Sequence, residues 1–205
     1  MSGILSSTFV ETNASSFNAG IIAYKHGNLE KAVAKWAPLA EKDDPIAQYN
    51  IGVIYENGFK GSPNYSLAVK WYRKAANNGL SQASYNLGLM YELGKGVPQD
   101  YNSAAKWYNK AAENGNANAQ NNLAVLYMRG LGVPQDYKSV VTWFNEAALQ
   151  NKTSAQYNLG FMHEKGLGTK KNYYYAFNWY KRAATQGLAI AQYKLGEMYF
   201  EGRGV

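Results

Sequence analysis

One residue pattern returns along this chain at a fixed spacing, and that spacing constrains the fold more than any other property of the sequence. Ala47-Gln48-Tyr49-Asn50-Ile51-Gly52 reappears as Ala83-Ser84-Tyr85-Asn86-Leu87-Gly88, as Ala119-Gln120-Asn121-Asn122-Leu123-Ala124, as Ala155-Gln156-Tyr157-Asn158-Leu159-Gly160 and as Ala191-Gln192-Tyr193-Lys194-Leu195-Gly196, each time 36 residues further on. Trp71, Trp107, Trp143 and Trp179 keep the same step, and so do Gly58, Gly94, Gly130, Gly166 and Gly202. Three series in one phase mean a unit copied in tandem. A unit of this length is one supersecondary element that buries its apolar face only against its neighbours.

Within a unit the apolar spacing predicts two helices. Ala83, Leu87, Met90, Tyr91 and Gly94 fall three and four residues apart, on one helical stripe. Gly94 and Gly96, followed by Val97-Pro98, end that helix. Asp100 then stands where a helix N-cap belongs, with Asn64, Asp136 and Asn172 as its equivalents. The second helix carries Ala104, Trp107 or Tyr108, Ala111 and Ala112 on its inner face, and Asn114-Gly115 closes it. The expected fold class is all-α, a solenoid of stacked helix hairpins.

The expected organisation is a disordered Ser/Thr-rich segment over 1–16, a shorter hairpin over 17–44, full repeats over 45–80, 81–116, 117–152 and 153–188, and a partial repeat, first helix only, over 189–205. In the short hairpin the turn Gly27-Asn28 replaces the longer loop, and Pro38 is expected to kink or end its second helix. The helix of the partial repeat has no partner in the sequence, which makes it a candidate surface for self-association. With no Cys among 205 residues, a disulfide framework, Cys-ligated zinc, iron–sulfur chemistry and a thiol nucleophile are excluded. No apolar run reaches the roughly 18–20 residues of a membrane span, and the start shows neither the basic nor the apolar region of a secretory leader. Compartment is left open.

The run from Ala83 to Gly115 closely resembles the Sel1-like repeat, a relative of the tetratricopeptide repeat. The resemblance extends over 45–205 and more loosely over 17–44. It implies a right-handed superhelix with first helices lining its concave side, and a non-catalytic scaffold or adaptor that holds another protein or peptide and needs no small-molecule cofactor. Bacterial members are common. The alternative it implies is a secreted or envelope-associated bacterial protein with a host-interaction, cell-wall-ligand or β-lactamase-like role. A β-lactam-linked subgroup carries paired cysteines, which this chain lacks.

Opposite the buried stripe, the first helices place rows of side chains that the hairpins do not require for stacking. The residues expected to line the middle of a peptide-binding groove are Tyr85, Asn86, Leu89, Asn122, Val125, Met128, Asn158, Phe161 and Glu164. The apolar row supplies burial, and the amides can pair with an extended peptide backbone. A more tightly wound superhelix would instead bury these rows as core.

Enzyme signals are weak. His163 occupies a position filled elsewhere by Tyr55, Tyr91, Tyr127 and Tyr199, so the repeat alone accounts for its ring, and His26 lies at a helix end. No cluster with metal-ligand spacing occurs, and no metal is expected. Glu56, Glu92 and Glu164 recur with the repeat, on helices roughly 10 Å apart, which suits repetition better than a glycosidase pair. Ser103 and Lys106 match S-x-x-K without its companion motifs. The net charge of +7 raises nucleic acid as a partner, because Lys70, Arg73, Lys74, Lys106, Lys110, Lys181 and Arg182 cluster on second helices. Packing occupies the neighbouring Trp residues in that reading, and a solvated helix surface explains the charges, so nucleic acid is not the expected partner.

Overall fold

The computed structural model describes residues 4–58 and 61–205, with side chains from Ala14 onward. Among the described residues the regular structure is helical. Unit Met1–Gln99 holds α1 (Ile4–Lys25), α2 (Leu29–Ala40), α3 (Pro45–Asn57), α4 (Tyr65–Asn77) and α5 (Ser81–Leu93). Unit Asp100–Val205 holds α6 (Tyr101–Glu113), α7 (Ala117–Arg129), α8 (Tyr137–Leu149), α9 (Thr153–Lys165), α10 (Tyr173–Thr185) and α11 (Ala189–Phe200). In each unit, every helix packs on the next in chain order.

Helix α1 begins inside the segment expected to be disordered, whose first three residues lie outside the described ones. No Gly or Pro interrupts residues 4–19, so nothing there breaks a helix. Helix α2 continues through Pro38 to Ala40. Proline so near a C-terminus forfeits one backbone bond and leaves the helix body intact.

The four expected caps are in place. Asn64 accepts from the Leu67 amide, Asp100 from Asn102, Asp136 from Lys138 and Asn172 from Tyr175. The Ser103 hydroxyl adds a 2.6 Å bond to Asp100, which holds that carboxyl below the usual carboxylate range, and Ser139 does the same for Asp136. Ser103 is therefore part of a helix cap, which accounts for the S-x-x-K match.

The large core aromatic of each second helix is the residue after the tryptophan. Tyr72, Tyr108, Phe144 and Tyr180 are fully buried, whereas Trp71, Trp107, Trp143 and Trp179 are half-exposed. Lys74, Lys110 and Arg182 lie over three of those indole faces at 4.6, 5.3 and 4.7 Å. Part of the basic strip is thus spent on tryptophan. The repeated glycine of the first helix makes room for the buried ring: a Cβ on Gly52 would meet Tyr72 at 2.8 Å, and one on Gly160 would meet Tyr180 at 2.8 Å.

Two backbone devices join successive repeats within each unit. Gln48, Gln120 and Gln156 are buried, and their side-chain amides donate to the Ala40, Ala112 and Ala148 carbonyls at the end of the preceding helix. Their own oxygens accept from Asn78, Gln150 and Gln186 at 3.0, 2.9 and 2.7 Å. Each of these carbonyls also accepts a backbone N–H, from Asp43, Gly115 and Asn151, so the glutamine amide adds a second bond to an oxygen already engaged by the turn that ends the helix. The second glycine of each loop approaches an earlier helix start: a Cβ on Gly96, Gly132 or Gly168 would fall 2.0–2.4 Å from the carbonyl oxygen of Tyr65, Tyr101 or Tyr137.

Candidate functional site

The first helices carry the expected binding rows, and most of these side chains are neither free nor core. Tyr85, Asn86 and Leu89 of α5 are half-buried, as are Asn122, Val125 and Met128 of α7 and Asn158 and Phe161 of α9. Val125, Met128 and Phe161 rest partly on the Phe144 core. Glu164 departs from expectation. It is 8% exposed, accepts from the Tyr180 hydroxyl at 2.7 Å and pairs with Lys165 at 2.9 Å. Burial acts to raise its pKa, but the hydrogen bonds from Lys165 and Tyr180, with the charges of Lys165 and Lys194, outweigh that and hold the carboxyl below its usual range.

Glu164 is an internal acceptor because a buried phenol needs one. The same logic holds for Glu56, which accepts from Tyr72. Burial and the adjacent carboxylate both push the Tyr72 and Tyr180 hydroxyls well up. The signal was present in the sequence as a correlation at sixteen residues: Glu56 with Tyr72, Glu92 with Tyr108, Glu164 with Tyr180, but Met128 with Phe144.

The repeat 117–152 departs from its neighbours at four linked positions. Where others carry Tyr49 or Tyr157, Gly52 or Gly160, Glu56 or Glu164, and Tyr72 or Tyr180, it carries Asn121, Ala124, Met128 and Phe144. Removing the hydroxyl removes the need for a carboxylate. Elsewhere the outer Tyr leans on the buried one, with ring centroids 5.6 Å apart for Tyr49–Tyr72 and 5.4 Å for Tyr157–Tyr180.

This exchange changes what the amide row does. Asn86 hydrogen-bonds the Tyr72 and Tyr49 hydroxyls, and Asn122 donates to Tyr108 at 3.2 Å. Asn158 stands in the same relation to Phe144, which offers no oxygen, and its amide has no hydrogen-bond partner among the described residues. Next to it, Asn121 accepts from Ser154 at 3.1 Å and donates to Asn122 at 3.2 Å. The α7–α9 face thus combines an unengaged amide, a short polar chain and three half-buried apolar side chains.

Elsewhere, His163 has its Nδ1 buried without a hydrogen-bond partner, and burial pushes the imidazole pKa down. The charged form is disfavoured in the fold, so stability present above about pH 6.5 is expected to be lost as pH falls through that value. Melting temperature measured between pH 7.5 and 5 should decline less in His163→Tyr than in the parent; an equal decline would place the titration elsewhere. Among the described residues no group of three His, Asp or Glu is placed to hold a metal, and no helix is long and apolar enough to cross a membrane.

Stacked hairpins with buried alanine-rich seams and loop glycines define an all-α helical-repeat protein, the class of solved Sel1 repeat structures. The family model described as "Sel1 repeat" matches residues 45–80, 81–116, 117–152, 153–188 and 189–205, and the chain belongs to this family. Among solved structures it is similar to a Sel1 repeat protein from Oxalobacter formigenes, with 33% identity and a TM-score of 0.87, covering 92% of this chain and 78% of that one. It is also similar to c5321, a protective antigen of uropathogenic Escherichia coli with this fold, with 40% identity and a TM-score of 0.81. That match covers 84% of this chain but 37% of c5321, so the chain spans little more than a third of that protein. The cysteine rich protein B of Helicobacter pylori shares the fold at 23% identity and a TM-score of 0.51, covering 62% of this chain and 92% of that one. No curated protein matches the chain by sequence. Sel1 repeat proteins generally mediate protein–protein interaction.

Proposed function

We propose that this chain is a non-catalytic scaffold that binds an extended peptide segment of a partner protein across the α7–α9 face. The observation that carries this reading is the unengaged Asn158 amide beside half-buried Phe161, Val125 and Met128. A half-buried amide without a partner is satisfied by a peptide backbone, which offers both a donor and an acceptor to a side-chain amide. The apolar row beside it covers alternate side chains of the same segment. Asn122, Val125, Met128, Asn158 and Phe161 carry the recognition. Glu164 supports the fold beneath, and Tyr85, Asn86 and Leu89 offer a comparable row on α5.

The test is selection of peptides from a random displayed library, followed by affinity measurement on variants. Asn158→Ala and Phe161→Ala are each expected to weaken a selected peptide at least about tenfold, the effect of losing one well-made buried contact. Phe161 is only half-buried, so its variant is expected to stay folded by circular dichroism. Peptides that bind both variants as tightly as the parent would sink the assignment of this face.

A further inference from the structure

A cavity of about 470 Å³ opens in unit Asp100–Val205, away from the α7–α9 rows, between α8, α9 and α10. The array itself shows how it arises. In unit Met1–Gln99, Arg73 donates to the Tyr91 hydroxyl at 2.6 Å. Two repeats on, the same positions hold Asn145 and His163, both shorter, and both line the cavity.

The remaining wall also departs from the repeat. Tyr174 and Tyr175 stand where earlier repeats carry Ser66 and Leu67, Asn102 and Ser103, or Lys138 and Ser139, and Asn178 replaces Lys70, Lys106 or Thr142. Both tyrosines remain largely in solvent, 64% and 52% exposed, so hairpin stacking does not explain them. Tyr175 lies 5.3 Å from the His163 ring, and Tyr174 meets Tyr175 edge-on at 5.8 Å. The Arg182 guanidinium is held over Trp179. No carboxylate lines the cavity, and Arg182 forms no ion pair among the described residues. The buried Nδ1 of His163 adds a polar atom that the fold leaves without a partner.

The geometry points to a binding pocket for an aromatic carboxylate, its acid group on Arg182 with the Asn145 and Asn178 amides alongside, and its ring against Tyr174 and Tyr175. A fixed guanidinium with no acid of its own recognises a carboxylate through charge-assisted bonds. Exposed phenol rings supply stacking area for a planar apolar group. The ligand is either a free aromatic acid or the C-terminal residue of a peptide, which share this chemistry.

The test uses benzoate, N-acetyl-Gly-Phe with a free acid, and the same dipeptide as its amide, titrated into the full chain and followed by amide and indole nuclear magnetic resonance shifts. At least one acid is expected to shift the Trp179 indole and the Asn145 and Asn178 side-chain signals. The capped amide should bind at least tenfold more weakly than its acid if the peptide is the better ligand. Comparable binding of benzoate assigns a free acid, and a tenfold preference for the dipeptide acid assigns a peptide terminus. Arg182→Gln, on an exposed side chain, is expected to lose at least tenfold in affinity for the bound acid. Asn145→Arg combined with His163→Tyr restores the pair seen at Arg73 and Tyr91 and should abolish binding with the melting temperature kept. Equal binding of dipeptide acid and amide, undiminished binding by Arg182→Gln, or no shift with any probe at millimolar concentration overturns the proposal.

Discussion

Gly168→Ala is expected to destabilise the protein by about 3–5 kcal/mol, from left-handed strain plus a steric conflict. Gly168 has φ +68°, and a Cβ there would sit 2.0 Å from the Tyr137 carbonyl oxygen. That oxygen belongs to the first residue of a helix and cannot retreat without moving the helix start. Gly187, with φ +86° and nothing within 4 Å of its virtual Cβ, is the control for strain alone. Gly187→Ala should cost only about 1–2 kcal/mol. Urea unfolding of both variants separates the two contributions. Equal losses would mean that the loop does not press against the preceding repeat.

The second large effect is a coupling. Glu164→Met strands the buried Tyr180 hydroxyl and should cost about 1–3 kcal/mol. Tyr180→Phe leaves the buried carboxylate with Lys165 alone and should cost a similar amount, about 1–3 kcal/mol. Together the two changes reproduce the pairing of Met128 with Phe144 already present in this chain, so the double variant is expected to lie within about 1 kcal/mol of the parent. A coupling energy near zero in the double-mutant cycle would show that the carboxylate is not there for the phenol. The pH dependence has a definite sign. Glu164 is held below its usual range, so its contribution is present above about pH 4.5 and lost on acidification below it, a loss that Glu164→Met should not show.

Much of the fold was legible in the sequence because repetition multiplies weak signals. One Asp before one apolar run is a poor helix start, but Asn64, Asp100, Asp136 and Asn172 in a single phase are a strong one, and all four cap. The choice between Trp107 and Tyr108 was not legible. Helical spacing places both near the inner face, and only the packed geometry puts the phenol at the centre with the indole at the rim. The glutamine row is visible in the sequence but its role is not, since its acceptors are main-chain carbonyls that no residue type announces. Glu164 looked like a groove residue for a similar reason. A carboxylate on a first helix is read as solvated until a partner sixteen residues on folds back over it. The cavity beside α10 was missed because it is created by shortened side chains at two separate positions, Asn145 and His163.

The glutamine seam has a consequence for how such a chain changes length. Each join is made to a peptide oxygen, which is blind to the identity of the amino acid that carries it. Gln156 on Ala148 and Gln120 on Ala112 make the same join, each backed by the amide of Gln186 or Gln150, so duplicating one of these two 36-residue modules regenerates the seam with no compensating substitution, whereas the repeat that carries Ser84 does not supply it. Copy number can therefore drift over generations while the surface of each module is selected independently.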